Sequence, residues 1–570
     1  MVNYPNIEDE QFTSKINKIF SKFKIPKSRG TIEKYCNRKI FKLENPQMFP
    51  SNYINPNTPY KGVLIFFRIG AGKTCTAITI GEKWKNKRKI VVVLPASLKG
   101  NFRTELRSLC GGNNYLKPSE RKTLAKLDPA SEEYKEIIQI SDKRINKIYN
   151  ILSYNKFIEY CQTKTINLHN SLLIIDEIQN MISESGTYYT ELKDLIDHTR
   201  DLRVVLMSAT PMFDKPNEFA LTMNLIGLKK NLPVGKDFDK KFIQRIDKNG
   251  SETFKTKNMN EFKKYIKGSV SYWRGAPPYT FPNMKIKYVN CEMSEFQYKA
   301  YKSVMKSEDK ISKKRMKEMN VDTLPNNFYI GTRFVSNIVF PNMKTDHRGC
   351  DSFIGSALTT KLEKYSTKFY HITKSLKKSG KAFVYSSFKE LAGLKSLIKV
   401  LDGNGYKNYA QYGPGKKRYA VWSGDESLHL KDEIREVFNR KDNLDGNKIK
   451  VILGSPSIKE GISLMAVRNV HVLEPYWNIS RLEQIIGRAS RFCAHKDLPE
   501  EKRFVRVYIY IATHPKEKET VDEYIRKLSN GKNKIIKDFE KAIKEVAIDC
   551  QLNKNANVYD ENDEDIVCDK

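Results

Sequence analysis

Val63-Leu64-Ile65-Phe66-Phe67 runs through two residues into Gly70-Ala71-Gly72-Lys73-Thr74, and a helix-forming stretch from Thr74 to Lys85 follows. An unbroken apolar run of this length, closed by glycine, reads as a buried strand. The loop behind it suits an anion, because successive backbone N–H groups and a helix N-terminus converge on one point. Gly70 and Gly72, with Ala71 between them, allow the tight path. Lys73 supplies a point charge to the β- and γ-phosphates of a nucleotide, and Thr74 offers a hydroxyl to Mg2+. The usual pattern puts glycine or alanine five positions before Gly72, where this chain has Phe67. The strand before the loop and the helix after it supply the context that separates a phosphate loop from a chance glycine turn.

Working outward, the same rhythm recurs. Ile90–Leu94, Leu172–Ile175 and Val204–Met207 are short apolar runs separated by amphipathic stretches. Four such strands joined by helices predict a parallel sheet buried on both faces. A second set follows at Ala382–Tyr385, Lys450–Leu453, Val470–Leu473 and Val505–Tyr510. The expected fold class is therefore α/β, with two parallel-sheet lobes. The expected organisation is an N-terminal helical extension (1–45), lobe 1 (46–228), a helical insertion or brace (229–368), lobe 2 (369–512), and a C-terminal helical extension (513–570) ending in the acidic run Asp560–Asp569. A charged helical excursion is expected between Cys110 and Lys147.

Several strand ends carry chemistry. Ile174-Ile175-Asp176-Glu177-Ile178-Gln179 places two carboxylates after a strand. Asp176 is the candidate to hold Mg2+ and Glu177 the candidate to polarise the attacking water. Taken alone, the pair is equally a strand ending in solvated acids. Ser208-Ala209-Thr210-Pro211 supplies hydroxyls, Ser208 and Thr210, suited to link Glu177 to the partner lobe through hydrogen bonds, or merely a strand-to-turn exit. Pro95, Ser97 and Lys99 after one strand, and Ser153 after another, are candidate contacts to nucleic-acid phosphates, which carry no sequence information. Ser457 and Gly461 are their counterparts in the second lobe, where Ser463 also offers a hydroxyl. Trp422 is expected in the core.

Gln484-Ile485-Ile486-Gly487-Arg488-Ala489-Ser490-Arg491 is the other decisive stretch. Spacings of four and three suggest a helix that presents Gln484, Arg488 and Arg491 towards one side. Arginines so placed can stabilise charge on a transferring phosphoryl group, and lysine lacks the planar fork. A surface helix with ordinary basic residues is the bland alternative. Phosphate loop and arginines together suggest two lobes that close on one ATP.

Composition sets the frame. The chain has 570 residues, 101 Lys+Arg against 66 Asp+Glu, and a formal charge of +35. Such an excess favours a polyanionic partner through counterion release, although a general lysine bias would produce it too. No run of about 18 apolar residues is present, so no membrane span is expected, and the polar N-terminus does not read as a secretory signal. The nine cysteines are scattered without a CxxC pair, which predicts reduced thiols and no structural zinc.

The order of these motifs, from Gln47 to Tyr510, resembles superfamily 2 helicases and translocases, whose lobes are RecA-like. Asp176-Glu177-Ile178-Gln179 differs from the Asp-Glu-Ala-Asp box of common RNA helicases. His471-Val472-Leu473-Glu474-Pro475-Tyr476-Trp477-Asn478, continuing through Gln484–Arg491 to His495 and Leu498-Pro499, resembles the poxvirus-type nucleoside triphosphatase I and early transcription factor small subunit group. Lys544–Cys550 looks like a tail segment of that group, and Gln47 matches a glutamine that reads adenine. The resemblance implies a DNA-dependent ATPase of viral transcription that uses ATP and Mg2+, with DNA ahead of RNA as its polymer. It also implies an RNA polymerase or transcription factor subunit as partner, no membrane, and a cytoplasmic setting: a viral factory, a virion or a cytoplasmic plasmid system. An RNA helicase of mRNA processing, a replication or repair helicase, and a transcription factor subunit with a vestigial ATPase are the alternatives.

Overall fold

The computed structural model describes all residues except 1, 28–30, 38–41, 128–130, 184–185, 213–214, 249–250, 317–328, 460–461, 559–565 and 570. The chain divides into two compact units, each taken by itself below. The first comprises Met1–Pro278 and Gly531–Lys570, the second Tyr279–Asn530.

The first unit is built on β1 (Gly62–Phe67), β2 (Lys89–Leu94), β3 (Tyr149–Ser153), β4 (Ser171–Ile175) and β5 (Arg203–Ser208). A separate antiparallel hairpin, β6 (Ile243–Lys248) and β7 (Ser251–Thr256), and a short strand β8 (Val270–Trp273) follow. All but the hairpin form one parallel sheet in the order β3-β2-β4-β5-β1-β8. Alternate residues feed two cores. Leu64, Phe66, Leu173, Ile175, Val204 and Leu206 face one side, and Val63, Ile65, Phe67, Ile174, Val205 and Met207 the other. Both faces are covered, which is why the strands read as continuous apolar runs. On the first face lie Phe238, Phe242 and Phe262 with Phe539 and Ile543 from the C-terminal helix. On the second lie Phe12, Ile16, Phe20 and Phe23 of the N-terminal extension.

The second unit contains β9 (Asn283–Glu292), β10 (Lys381–Tyr385), β11 (Lys407–Asn408), β12 (Arg418–Trp422), β13 (Val451–Gly454), β14 (Val467–Val472) and β15 (Phe504–Thr513). They form a parallel sheet in the order β11-β12-β13-β10-β14-β15-β9. Trp422 is buried in its core, as expected.

Two parallel-sheet lobes are thus present, with more strands than the apolar runs announce. The range 229–368 is helical over much of its length and also carries β6–β9: β8 joins the first sheet and β9 the second. Strand β9 escapes notice because it is an edge strand, with Lys285 and Lys287 in an exposed stretch, and lysines are a common defence of such edges. Strand β8 has only four residues. The charged excursion is helical at Pro118–Leu124 and Glu132–Asn146. The C-terminal region is helical at Val521–Glu545 and Cys550–Asn557. The acidic run falls largely on residues outside the described ones.

The expectation of reduced thiols needs correction. Cys75 is bonded to Cys110, and Cys550 to Cys568. Separations of 35 and 18 residues form no recognisable motif; tertiary folding alone brings these sulfurs together. Among the described residues no cluster of metal-ligating side chains occurs, and no helix is long and apolar enough to cross a membrane.

Candidate active site

In the first sheet β4, β5 and β1 are neighbours. The loops after their C-terminal ends therefore converge, which is where open parallel sheets bind ligands. Three of the sequence motifs sit on those three loops.

After β1 the chain turns through Gly70 (φ +82°) and Gly72 (φ +74°) into the helix Lys73–Trp84. Both glycines are required by backbone conformation. A Cβ at Gly72 would also stand 2.2 Å from Gln47 Nε2. Gln47 packs onto the loop: its Nε2 donates to the Ala71 carbonyl at 3.3 Å, and its Oε1 accepts from Glu44 N at 2.9 Å. Phe67, the departure from the usual pattern, is buried in the strand and meets Trp273 edge-on. It belongs to the core and not to the loop. Thr74 is the second residue of the helix, and the bonded Cys75 ties that first turn to Cys110.

Lys73 Nζ stands 3.5 Å from Glu177 Oε1. The Glu177 backbone is left-handed, at φ +50°. Such strain in a non-glycine residue costs on the order of 1–3 kcal/mol and survives only where neighbours enforce it. Here the Tyr154 hydroxyl donates to the carbonyl oxygens of Asp176, at 2.6 Å, and Glu177, at 3.0 Å. Glu177 N donates to Asp176 Oδ1 at 2.9 Å. Asp176 itself is buried.

From Glu177 a hydrogen-bond chain leads to β5. Gln179 Nε2 donates to Glu177 Oε2 at 2.6 Å, Ser208 Oγ donates to Gln179 Oε1 at 2.7 Å, and Thr210 N donates to Ser208 Oγ at 2.9 Å. Ser208 and Thr210 are thus connected to the carboxylate through Gln179, all within the first unit. Sequence motifs assign no role to Gln179, and place Tyr154 only in the stretch Leu152–Tyr154 as a candidate phosphate contact. The signal for Gln179 was its place two residues after Glu177; nothing in the sequence marked the Tyr154 hydroxyl for these bonds.

The candidate nucleic-acid contacts lie at the same end of the sheet. Pro95 is buried at the end of β2, Ser97 is exposed in a short turn, and Lys99 opens the helix Lys99–Arg107. The Ser153 hydroxyl caps the helix Tyr154–Gln162, accepting from Lys156 N. In the second unit Ser457 is exposed after β13, and its hydroxyl lies 3.0 Å from that of Ser455. Gly461 lies outside the described residues.

The arginine stretch departs from expectation. The helix runs only from Ile479 to Ile486, so it carries Gln484 but neither arginine. Gly487 caps it, and Arg488 and Arg491 stand in the turns that follow. The segment Leu464–Ala466 captures this backbone: Leu464 N donates to the Arg488 carbonyl and Ala466 N to the Ala494 carbonyl, at 2.9 and 2.8 Å. Helical spacing therefore does not explain their common placement; the turn does. Arg491 Nη1 donates to Ser463 Oγ at 2.6 Å and Nε to the Gly487 carbonyl at 3.0 Å. Arg488 is buried. Burial, and then repulsion from Arg488, pulls the Arg491 guanidinium down to about 9.

Comparison with known proteins shows the family. Residues 43–342 match the SNF2-related domain and residues 362–493 the helicase conserved C-terminal domain. A protein of Acanthamoeba polyphaga mimivirus, named as an ATP-dependent RNA helicase, is 50% identical over 100% of this chain and 99% of its own. The chain belongs to the superfamily 2 helicases of large DNA viruses. A second relative of this viral helicase is an African swine fever virus protein named as a homologue of the termination factor NPH-I, 23% identical over 86% of this chain and 77% of its own. Among solved structures, the helicase domain of Pyrococcus furiosus Hef aligns with 88% of this chain and 100% of its own, at 13% identity and a TM-score of 0.42. As a superfamily 2 helicase the protein is an ATP hydrolase. The two left-handed glycines, the helix behind them and Lys73 form a cradle that suits a polyphosphate, and the carboxylate of buried Asp176 suits a Mg2+ that accompanies it.

Proposed function

We propose that this viral helicase is a nucleic-acid-dependent ATPase that moves along DNA during transcription, at early initiation or at termination and transcript release. The observation that carries the reading is the unbroken path Lys73–Glu177–Gln179–Ser208, which ties a phosphate-binding lysine to the carboxylate suited to activate water. In this reading Gly70, Ala71, Gly72 and Lys73 hold the ATP phosphates, Thr74 and Asp176 hold Mg2+, and Gln47 reads adenine. Mg2+ would neutralise phosphate charge. Lys73 passes from Glu177 to the γ-phosphate, which leaves Glu177 to take a proton from water.

Arg488 and Arg491 complete the same ATP from lobe 2 (369–512), and Gln484 supports them. ATP favours closure with lobe 1 (46–228) only by making better contacts in the closed state. Pro95, Ser97, Lys99, Ser153, Ser457 and Gly461 grip the polymer's phosphates. A viral-type RNA polymerase or transcription factor subunit is the partner, and the setting is the cytoplasm of an infected cell or the virion.

The name of the mimivirus relative favours a second reading, an RNA helicase. Steady-state ATP hydrolysis with DNA and with RNA of matched sequence separates the two. Stronger stimulation by DNA supports the first reading and stronger stimulation by RNA the second. No stimulation by either would leave a transcription factor subunit with a silent site.

A further inference from the structure

The first sheet has a second end. Opposite the phosphate loop, the segments that lead into β2, β3 and β4 surround a cavity of about 750 Å³. A strand of six residues spans about 20 Å, so this cavity lies roughly that far from Pro95–Lys99 at the other end of β2. It lies wholly within the first unit and touches none of the ATP-site residues.

Its walls are of one electrical sign. Lys85, Lys87, Arg88, Lys89 and Lys147 contribute to the lining, and no aspartate or glutamate does. Two of these cations are already answered, Lys85 by Glu82 at 2.7 Å and Arg88 by Asp201 at 2.6 Å. Lys87, Lys89 and Lys147 are exposed, and none of them pairs with a carboxylate among the described residues. Three like charges around one hollow repel one another unless an anion enters. Asn86, Asn150 and Asn167, all exposed, belong to the same lining. Amide N–H groups and lysines are the ordinary donors to phosphodiester oxygens. Half-buried Tyr160 also contributes to the wall, with Lys156 Nζ 4.7 Å from the centre of its ring as a further cation beside the lining.

We propose that this cavity is a second nucleic-acid site, which takes the phosphodiester backbone of a segment of the polymer separate from the one at the C-terminal ends of the strands. The inference rests on the protein's engagement with nucleic acid but not on its motor cycle. The site would hold a distal segment while the nucleotide-dependent track advances on another. The asparagine amides beside the lysines favour the closely spaced oxygens of a phosphodiester backbone over an acidic polypeptide.

The test is lysine acetylation read by mass spectrometry on the full chain without ATP, together with the salt dependence of binding to a long duplex. A duplex of 60 or so base pairs should protect Lys87, Lys89 and Lys147. The triple variant Lys87→Gln/Lys89→Gln/Lys147→Gln should bind that duplex with a log–log salt slope shallower by about 2–3, because each phosphate contact contributes about 0.9. ATP hydrolysis stimulated by a short oligonucleotide that fills only the first track should remain at the wild-type rate. The proposal is overturned if none of the three lysines is protected. It is also overturned if inorganic phosphate at the same phosphate concentration protects them equally, or if polyglutamate protects them and the duplex does not. The footprint uses the unaltered protein, so misfolding of the variant would not blunt it. Loss of all nucleic-acid stimulation in the wild type would instead count against the proposed function.

Discussion

Lys73, the first residue of a helix in the first unit, and Arg491, beyond the end of a helix in the second, are both cations, yet their surroundings are opposite. Lys73 faces a carboxylate, Glu177, that belongs to a hydrogen-bonded chain reaching β5. Arg491 faces another cation, Arg488, and is anchored by a serine hydroxyl and a backbone carbonyl. The first arrangement offsets its own charge. The second holds two guanidiniums close enough for one to depress the charge of the other. The contrast suggests a division of labour, in which the lysine side binds and orients the nucleotide and the arginine side answers charge that develops during hydrolysis.

Breaking the arginine side should have the largest effect. Arg488→Lys keeps the charge and loses the fork, and single-turnover hydrolysis with saturating nucleic acid should fall by about 10³-fold or more, with ATP affinity little changed. A loss confined to affinity would put Arg488 among the binding groups. Glu177→Gln removes the base and should slow hydrolysis by about 10²–10⁴-fold while ATP binding persists; a wild-type rate would end its assignment. Gln179→Ala sharpens the comparison on the lysine side. It leaves both reacting groups in place but cuts the link to Ser208, so misorientation of Glu177 should cost about 10²-fold in kcat with KM for ATP nearly unchanged.

The smallest effect concerns the support of the first unit rather than its chemistry. Asp549 is fully buried and accepts from Ser271 Oγ, Tyr272 N and Asn553 Nδ2 at 2.6, 2.9 and 2.9 Å. It pins the C-terminal segment to β8, beside the strand that leads into the phosphate loop. Burial pushes its carboxyl up to about 6, against the pull of those hydrogen bonds; an unfolded chain would have about 3.9. The folded protein holds this proton more tightly. The stability linked to it is complete below pH of about 4 and is lost as pH rises through 6. Asp549→Ala should destabilise the first unit by on the order of 3 kcal/mol. The difference from wild type, followed by urea unfolding, should be larger at pH 5 than at pH 8.

Much of this was readable from the chain because buried parallel strands advertise themselves as apolar runs. Val63–Phe67, Leu172–Ile175 and Val204–Met207 are covered on both faces, so no polar residue interrupts them. The loops behind them followed, since chemistry sits at strand ends. Strand β9 stayed hidden because an edge strand is exposed and laced with lysine. The Cys75–Cys110 disulfide was hidden because only the fold makes those residues neighbours. At the arginines the local reading was wrong: spacings of four and three suggested a helix, whereas bonds from Leu464 and Ala466 hold the backbone in a turn there. Gln179 and Tyr154 show the same limit. Hydrogen bonds between loops depend on which strands become neighbours, and sequence periodicity carries no strand order.

The most direct test of the central claim is a structure of the protein with Mg2+ and a non-hydrolysable ATP analogue, in the presence of nucleic acid. The account predicts the γ-phosphate within hydrogen-bonding reach of both Lys73 and a guanidinium of Arg488 or Arg491. A γ-phosphate on Lys73 with both arginines remote, in a protein that still turns over ATP, would contradict it.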